Sequence, residues 1–75
     1  MGRRVSIAEA IRLCRQASSC SEGELALWMS LGTYTAYRLF KQLKDLCLSG
    51  ALNAEDEVCE VSGERIVFRK RGEAR

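Results

Sequence analysis

The stretch from Thr33 to Leu48, TYTAYRLFKQLKDLCL, places the tightest constraint on the fold. Ala36, Leu39, Phe40, Leu43, Leu46 and Cys47 recur at three- and four-residue steps, the stripe that an amphipathic helix turns toward a core. The opposite face carries Thr33, Tyr34, Tyr37, Arg38, Lys41, Gln42 and Lys44. Most of these donate hydrogen bonds or positive charge, and only Asp45 opposes them. Such a rod fits a DNA groove. It also fits an ordinary surface helix, because Lys, Arg and Gln are what solvated helix faces carry.

Two helix starts precede it. Ser6-Ile7-Ala8-Glu9 and Ser21-Glu22-Gly23-Glu24 both have the spacing of a capping box, in which serine takes an orphan backbone N–H and glutamate reaches back. The first opens a helix over about 6–18, with Ile7, Ala10, Ile11, Cys14 and Ala17 on one face and Arg12 and Arg15 off it. Ser18-Ser19 frays it, and Cys20 is a short extended link. The second opens a short helix over about 22–29, where Trp28 is expected in or beside the core because a large aromatic buries much area. Ser30-Leu31-Gly32 interrupts it. Gly32 or Thr33 caps the third helix, over about 33–48, and Gly50 suits the left-handed position that ends it.

The period then changes. Ala51-Leu52 begins a strand or tethers the chain to the core, and Asn53 to Asp56 is a polar loop. Strands are expected over about 57–61 and 65–70, from the β-branched and aromatic residues there. A two-residue turn at Ser62-Gly63 sets Glu60 opposite Arg65 and Cys59 opposite Ile66. Cys59, Ile66 and Phe68 then share one face, with Val58, Val67, Arg65 and Arg69 on the other. Arg71 to Arg75 is expected to fray. The expected fold is α+β, a single domain over 1–75 of three helices followed by a two-stranded hairpin.

Composition excludes several classes. A chain of 75 residues buries only about 60% of its unfolded surface, so its core is small. No apolar run approaches the roughly 18 residues of a membrane span, and the residues after Arg3 and Arg4 are too charged for a signal-peptide core. A cytoplasmic protein is expected. Cys14, Cys20, Cys47 and Cys59 contain no C-x-x-C pair and the chain has no histidine, so no metal is expected. The thiols are expected reduced, with Cys14–Cys47 or Cys20–Cys59 left open as bridges. No glycine-rich phosphate loop or nucleophile–base pair is present, so no enzyme, cofactor or small-molecule ligand is expected. The net charge of +2 does not announce nucleic acid by itself. Its distribution is uneven: Arg65, Arg69, Lys70, Arg71 and Arg75 follow an acidic cluster of Glu55, Asp56, Glu57 and Glu60.

A short helix, a three-residue turn, a longer helix with a donor-rich face, and then a ribbon make a helix-turn-helix with a wing. The run from Glu24 to Leu43 resembles the helix-turn-helix of winged-helix transcription regulators, including GntR-like ones. It shares their E-L-A start at Glu24-Leu25-Ala26, with Ala26 in the small position, and their threonine, arginine and late leucine. Ser30 stands where glycine is usual, and Gly32 where serine is usual. Ser49-Gly50-Ala51-Leu52 is similar to the segment leading into the wing. The resemblance covers about Ser6 to Lys70 and is to the stand-alone proteins of archaea, their plasmids and viruses.

That resemblance implies a nucleoid-associated regulator that binds double-stranded DNA sequence-specifically, with the third helix in the major groove. Thr33, Tyr34, Thr35, Tyr37 and Arg38 then supply base and phosphate contacts. Arg38 suits guanine, whose O6 and N7 accept a bidentate guanidinium. Lys41 and Lys44, with Gln42 between them, lie further along, where the lysines suit the DNA backbone. Arg65 near the wing tip, with Arg69 and Lys70 nearby, suits the adjacent minor groove. Simpler roles stay open: the tyrosines leaning on apolar surface, Lys44 solvated, Arg65 merely pairing with Glu60. Leu27-Trp28 or Val58-Val67 offers a homodimer contact. The acidic cluster motivates an alternative, a winged-helix adaptor that binds protein and not DNA.

Overall fold

The computed structural model describes residues 6–71. Helices α1 (Ile7–Ala17), α2 (Glu22–Met29) and α3 (Thr33–Ser49) accompany strands β1 (Ser19–Ser21), β2 (Glu57–Ser62) and β3 (Arg65–Lys70). The strands form one antiparallel sheet in the order β1-β3-β2. The fold is therefore α+β, but the expected two-stranded ribbon is instead a three-stranded sheet. Ser19, Cys20 and Ser21 pair with Val67, Ile66 and Arg65, which makes β3 the central strand. Three residues are too few for a periodic signal, so β1 reads as a link until β3 is beside it.

The helix ends follow local chemistry. Ser6 Oγ accepts the Glu9 N–H at 3.2 Å, while the Glu9 carboxylate turns to Arg12, 3.8 Å away. Ser18 ends α1 at φ 71°, with its N–H donating to Arg15 O. The α2 box closes both ways: Glu24 N–H donates to Ser21 Oγ at 3.3 Å, and Ser21 N–H to Glu24 Oε1 at 3.1 Å. In the α2–α3 turn Ser30, not Gly32, takes the left-handed conformation, at φ 55°. Gly32 is extended at φ −72° and caps α3 through its carbonyl alone. Gly50, at φ 87°, reverses the chain after α3, and Ala51 N–H donates back to Leu46 O.

The hairpin turn is Gly63-Glu64, one residue later than expected. Ser62 pairs with Arg65, Val61 with Ile66, Glu60 with Val67 and Cys59 with Phe68. Gly63, at φ 62°, supplies the positive φ that a type II′ turn takes at its first central residue. Moving the turn by one residue moves each partner by two. A shift of two leaves the faces unchanged, so Cys59, Ile66 and Phe68 stay inward with Val61 packed beside them, whereas Glu60 no longer meets Arg65. Arg71, expected to fray, is held: its N–H donates to Asp56 O at 2.8 Å and its guanidinium to the Ala54 and Glu55 carbonyls at 3.1 Å. The rest of the expected tail, 72–75, and the arginines at 3 and 4 lie outside the described residues.

The core joins Ala10, Cys14, Leu25, Leu39, Leu43 and Phe40 of the helices to Cys20, Cys59, Ile66 and Phe68 of the sheet. Its cysteines are oxidised, and neither bridge left open by the sequence forms. Cys14 bonds Cys20 and Cys47 bonds Cys59, with Cα–Cα distances of 5.1 and 5.5 Å. The left-handed reversal at Ser18 brings Cys20 back beside Cys14, and β2 returns along the end of α3 to meet Cys47. Trp28 is not in the core. Leu25 and Met29 fill the inner side of α2, and Trp28 is left 39% exposed. Arg15, off the apolar face of α1, clamps the molecule from outside. It donates to Leu52 O at 2.8 Å, lies 3.2 Å from Glu57 Oε1, and sits over the Phe68 ring at 5.2 Å.

Candidate nucleic-acid interface

Burial of Ala36, Leu39, Phe40, Leu43 and Cys47 fixes the rotation of α3, and so decides which of its polar residues stand free. Thr33, Tyr34, Tyr37, Arg38, Lys41 and Gln42 are exposed; Thr35 and Lys44 are half-buried. The tyrosines are 70% and 51% exposed, at Tyr34 and Tyr37, so neither is spent on the core. Among the described residues, no carboxylate pairs with Arg38, Lys41 or Lys44. The first turn of α3 contains no acid and its N-cap has no side-chain bond, so backbone N–H groups there point outward unsatisfied by side chains.

These residues divide between two flanks. Tyr34, Thr35, Arg38 and Gln42 line a shallow groove of about 260 Å³ beside Ile7 of α1. Arg38 lies over the Tyr34 ring, 5.7 Å from its centroid, one helical turn away. Tyr37, Lys41 and Lys44 line a larger groove of about 680 Å³ facing the start of α2 and the hairpin turn. Lys44 Nζ stands 5.7 Å from the Phe40 ring centroid, which accounts for its partial burial. The second groove is mixed in charge, since Glu22 and Glu64 line it together with Arg65.

Two of the hairpin cations, Arg65 and Arg69, are engaged within the molecule. Arg65 Nη2 donates to Glu24 Oε1 and to Ser19 Oγ, each at 2.9 Å. The Glu24 oxygen that holds it also closes the α2 capping box, so Arg65 ties the hairpin to the helix start. Arg69 Nε donates to Glu60 Oε1 at 2.7 Å. Arg69 and Lys70 lie four and five residues along β3 from Arg65, or roughly 13–17 Å at strand rise, so the structure does not gather them with the α3 flanks. The partners of Arg65 were not legible in the sequence, because Glu24 and Ser19 are more than forty residues away.

The acidic cluster is also broken up. Glu57 is paired with Arg15 and Glu60 with Arg69, while Arg71 closes over the carbonyls of the Ala54–Glu55 loop. Among the described residues, no group of three or more His, Cys, Asp or Glu side chains is placed to hold a metal. No helix there is long and apolar enough to cross a membrane. The chain matches no protein-family model, no curated protein and no solved structure.

Proposed function

We propose that this protein binds double-stranded DNA sequence-specifically and regulates transcription as a winged helix-turn-helix protein, with α3 in the major groove. The observation that carries the reading is the state of α3. Its first two turns hold Thr33, Tyr34, Tyr37 and Arg38 exposed on a rod whose other side is anchored in the core. A major groove about 12 Å wide admits such a helix, and each base pair there offers a distinct set of donors and acceptors. Arg38, steadied by the Tyr34 ring, is the base reader. Thr33 and Thr35, Tyr37 and Gln42 supply shorter hydroxyl and amide contacts, and Lys41 and Lys44 neutralise phosphates on the other flank. The β2–β3 hairpin acts as the wing, with Lys70 and the partly engaged Arg65 and Arg69 meeting the backbone.

The adaptor reading has less support, because two of the four acids it relied on, Glu57 and Glu60, are paired with arginines of the same chain. Selection of bound duplexes from a random pool, then titration of the winner against a scrambled duplex, tests the proposal. Arg38→Ala lowers discrimination between the two duplexes. Lys41→Ala weakens both alike and flattens the dependence of log K on log salt by about one unit. Absence of binding at low salt with tens of micromolar protein would reject DNA as the partner.

A further inference from the structure

The two disulfides are not equally secured by the structure around them, and this difference does not depend on the DNA reading. Cys14–Cys20 joins residues six apart and encloses Ser18, which holds φ 71° although it carries a Cβ. That left-handed conformation costs a residue other than glycine roughly ten-fold in equilibrium. Cys20 comes back beside Cys14 only through this reversal, so the bond and the strained serine exist together. The strand it delivers, β1, is an edge of the sheet and has only three residues to pair with β3. Cys47–Cys59 closes instead on β2, all six residues of which pair with β3. The reversal after α3 is taken by Gly50, which holds φ 87° without that cost. Asn53 Oδ1 also accepts the Cys59 N–H at 2.9 Å. Both bridges are buried, so a reductant reaches either one only through local opening. A three-residue edge strand opens more readily than a strand paired over six.

We infer that Cys14–Cys20 is a redox switch on the docking of β1, and that a dithiol reductant opens it before Cys47–Cys59. One thiolate of the dithiol attacks a sulfur of the bridge and releases the other cysteine. The second thiol of the reductant then displaces the mixed disulfide. Two electrons and two protons pass to the protein, whose cysteines end as thiols, and the dithiol ends as its cyclic disulfide. With the S–S bond gone, Ser18 is free to leave the left-handed region. What then holds β1 is three residue pairs and the Phe68 N–H, which donates to Ser18 O at 2.8 Å. Undocking has defined consequences. Ser19 Oγ withdraws from Arg65, and Ser21 withdraws from the α2 capping box, whose Glu24 also holds Arg65. The redox state at the end of α1 thereby sets whether the hairpin is latched to α2.

Graded reduction of the full chain, purified without reductant, tests this. Dithiothreitol is added at neutral pH, free thiols are trapped at intervals with iodoacetamide, and peptide mass spectrometry locates them. Cys14 and Cys20 should be alkylated about 10-fold faster than Cys47 and Cys59, the size of the Ser18 penalty. Hydrogen exchange on the singly reduced chain should then quicken on the order of 10-fold at the amides of Ser21, Glu24 and Phe68. The amides of α3 and of the β2–β3 pairs should keep their rates. Oxidised glutathione should restore the original protection. Ser18→Gly, which takes the same φ without strain, should slow reduction of Cys14–Cys20 by roughly 3-fold. Free thiols at Cys14 and Cys20 before reduction would overturn the assignment. So would alkylation of Cys47 and Cys59 first or in step, or unfolding of the whole chain once Cys14–Cys20 is lost. Unchanged exchange at the three amides, exchange that oxidised glutathione does not reverse, or reduction no slower in Ser18→Gly would count against it equally.

Discussion

The exposed face of α3 and the β2–β3 hairpin carry similar numbers of cations and treat them differently. On α3, no carboxylate among the described residues holds Arg38, Lys41 or Lys44. On the hairpin, Arg65 is held by Glu24 and Arg69 by Glu60, while Arg71 is spent on loop carbonyls. A positive charge already paired within its own chain must break that pair before it can serve a phosphate. Counting basic residues therefore overstates what the hairpin can offer and understates the weight that falls on α3.

The largest effect that would break this comparison is on binding. Arg38→Ala with Lys41→Ala should cost the preferred duplex on the order of 100-fold, the sum of one base contact and one phosphate contact. Arg65→Ala with Arg69→Ala should cost only a few-fold. Fluorescence anisotropy titrations at matched salt measure both, and a reversed order would place the contact surface on the hairpin. Next comes the Cys47–Cys59 bridge, which ties the end of α3 to β2 and so fixes one region against the other. Replacing both cysteines with alanine should lower stability by about 3 kcal/mol, from the closure entropy of a loop this short. Urea unfolding with and without a reductant reads this, and the double variant should no longer respond to reductant at that site.

Smaller effects sharpen the same contrast. Ser30 holds a left-handed backbone between α2 and α3, which costs a residue with a Cβ about 1–2 kcal/mol. Ser30→Gly should raise stability by about 0.5–1 kcal/mol, after allowing for the greater freedom of glycine in the unfolded chain, and should leave duplex preference intact. Thermal melts compared at equal concentration decide it. The smallest change expected is from Arg65→Ala alone. Its ion pair with Glu24 is more than a third exposed on both sides, so stability should fall by less than about 1 kcal/mol. If Arg65 acts as a latch, the salt slope of duplex binding stays at its wild-type value. A slope reduced by one would mean that Arg65 leaves Glu24 for a phosphate.

The helices were legible because each carries a start signal and a stop signal, and α1 and α3 also carry a stripe of period 3.6. Ser21 with Glu24, and Gly50 after Ser49, act on neighbours within four residues, so sequence spacing suffices. The turn between α2 and α3 was only half legible. Either Ser30 or Gly32 could have taken the positive φ, and the choice fell to serine because Gly32 is needed in extended form to start α3. The candidate face of α3 followed from periodicity, but its division into two flanks did not. That division depends on α1 lying on one side and the hairpin turn on the other.

What the order of residues determined on its own was local: where helices begin and end, which stripe of α3 turns inward, and the alternation that keeps Cys59, Ile66 and Phe68 on one face. Those features arise from backbone capping and side-chain period, which reach only a few residues along the chain. Tertiary structure alone decided that Ser19–Ser21 is a strand, which cysteines are joined, that Trp28 stays outside, and that Glu24 claims Arg65. Most of these are meetings between segments distant in sequence or competitions for limited core volume, and even Cys14–Cys20, six residues apart, depends on the reversal at Ser18. Neither leaves a periodic trace, because the partner is supplied only when the chain has folded.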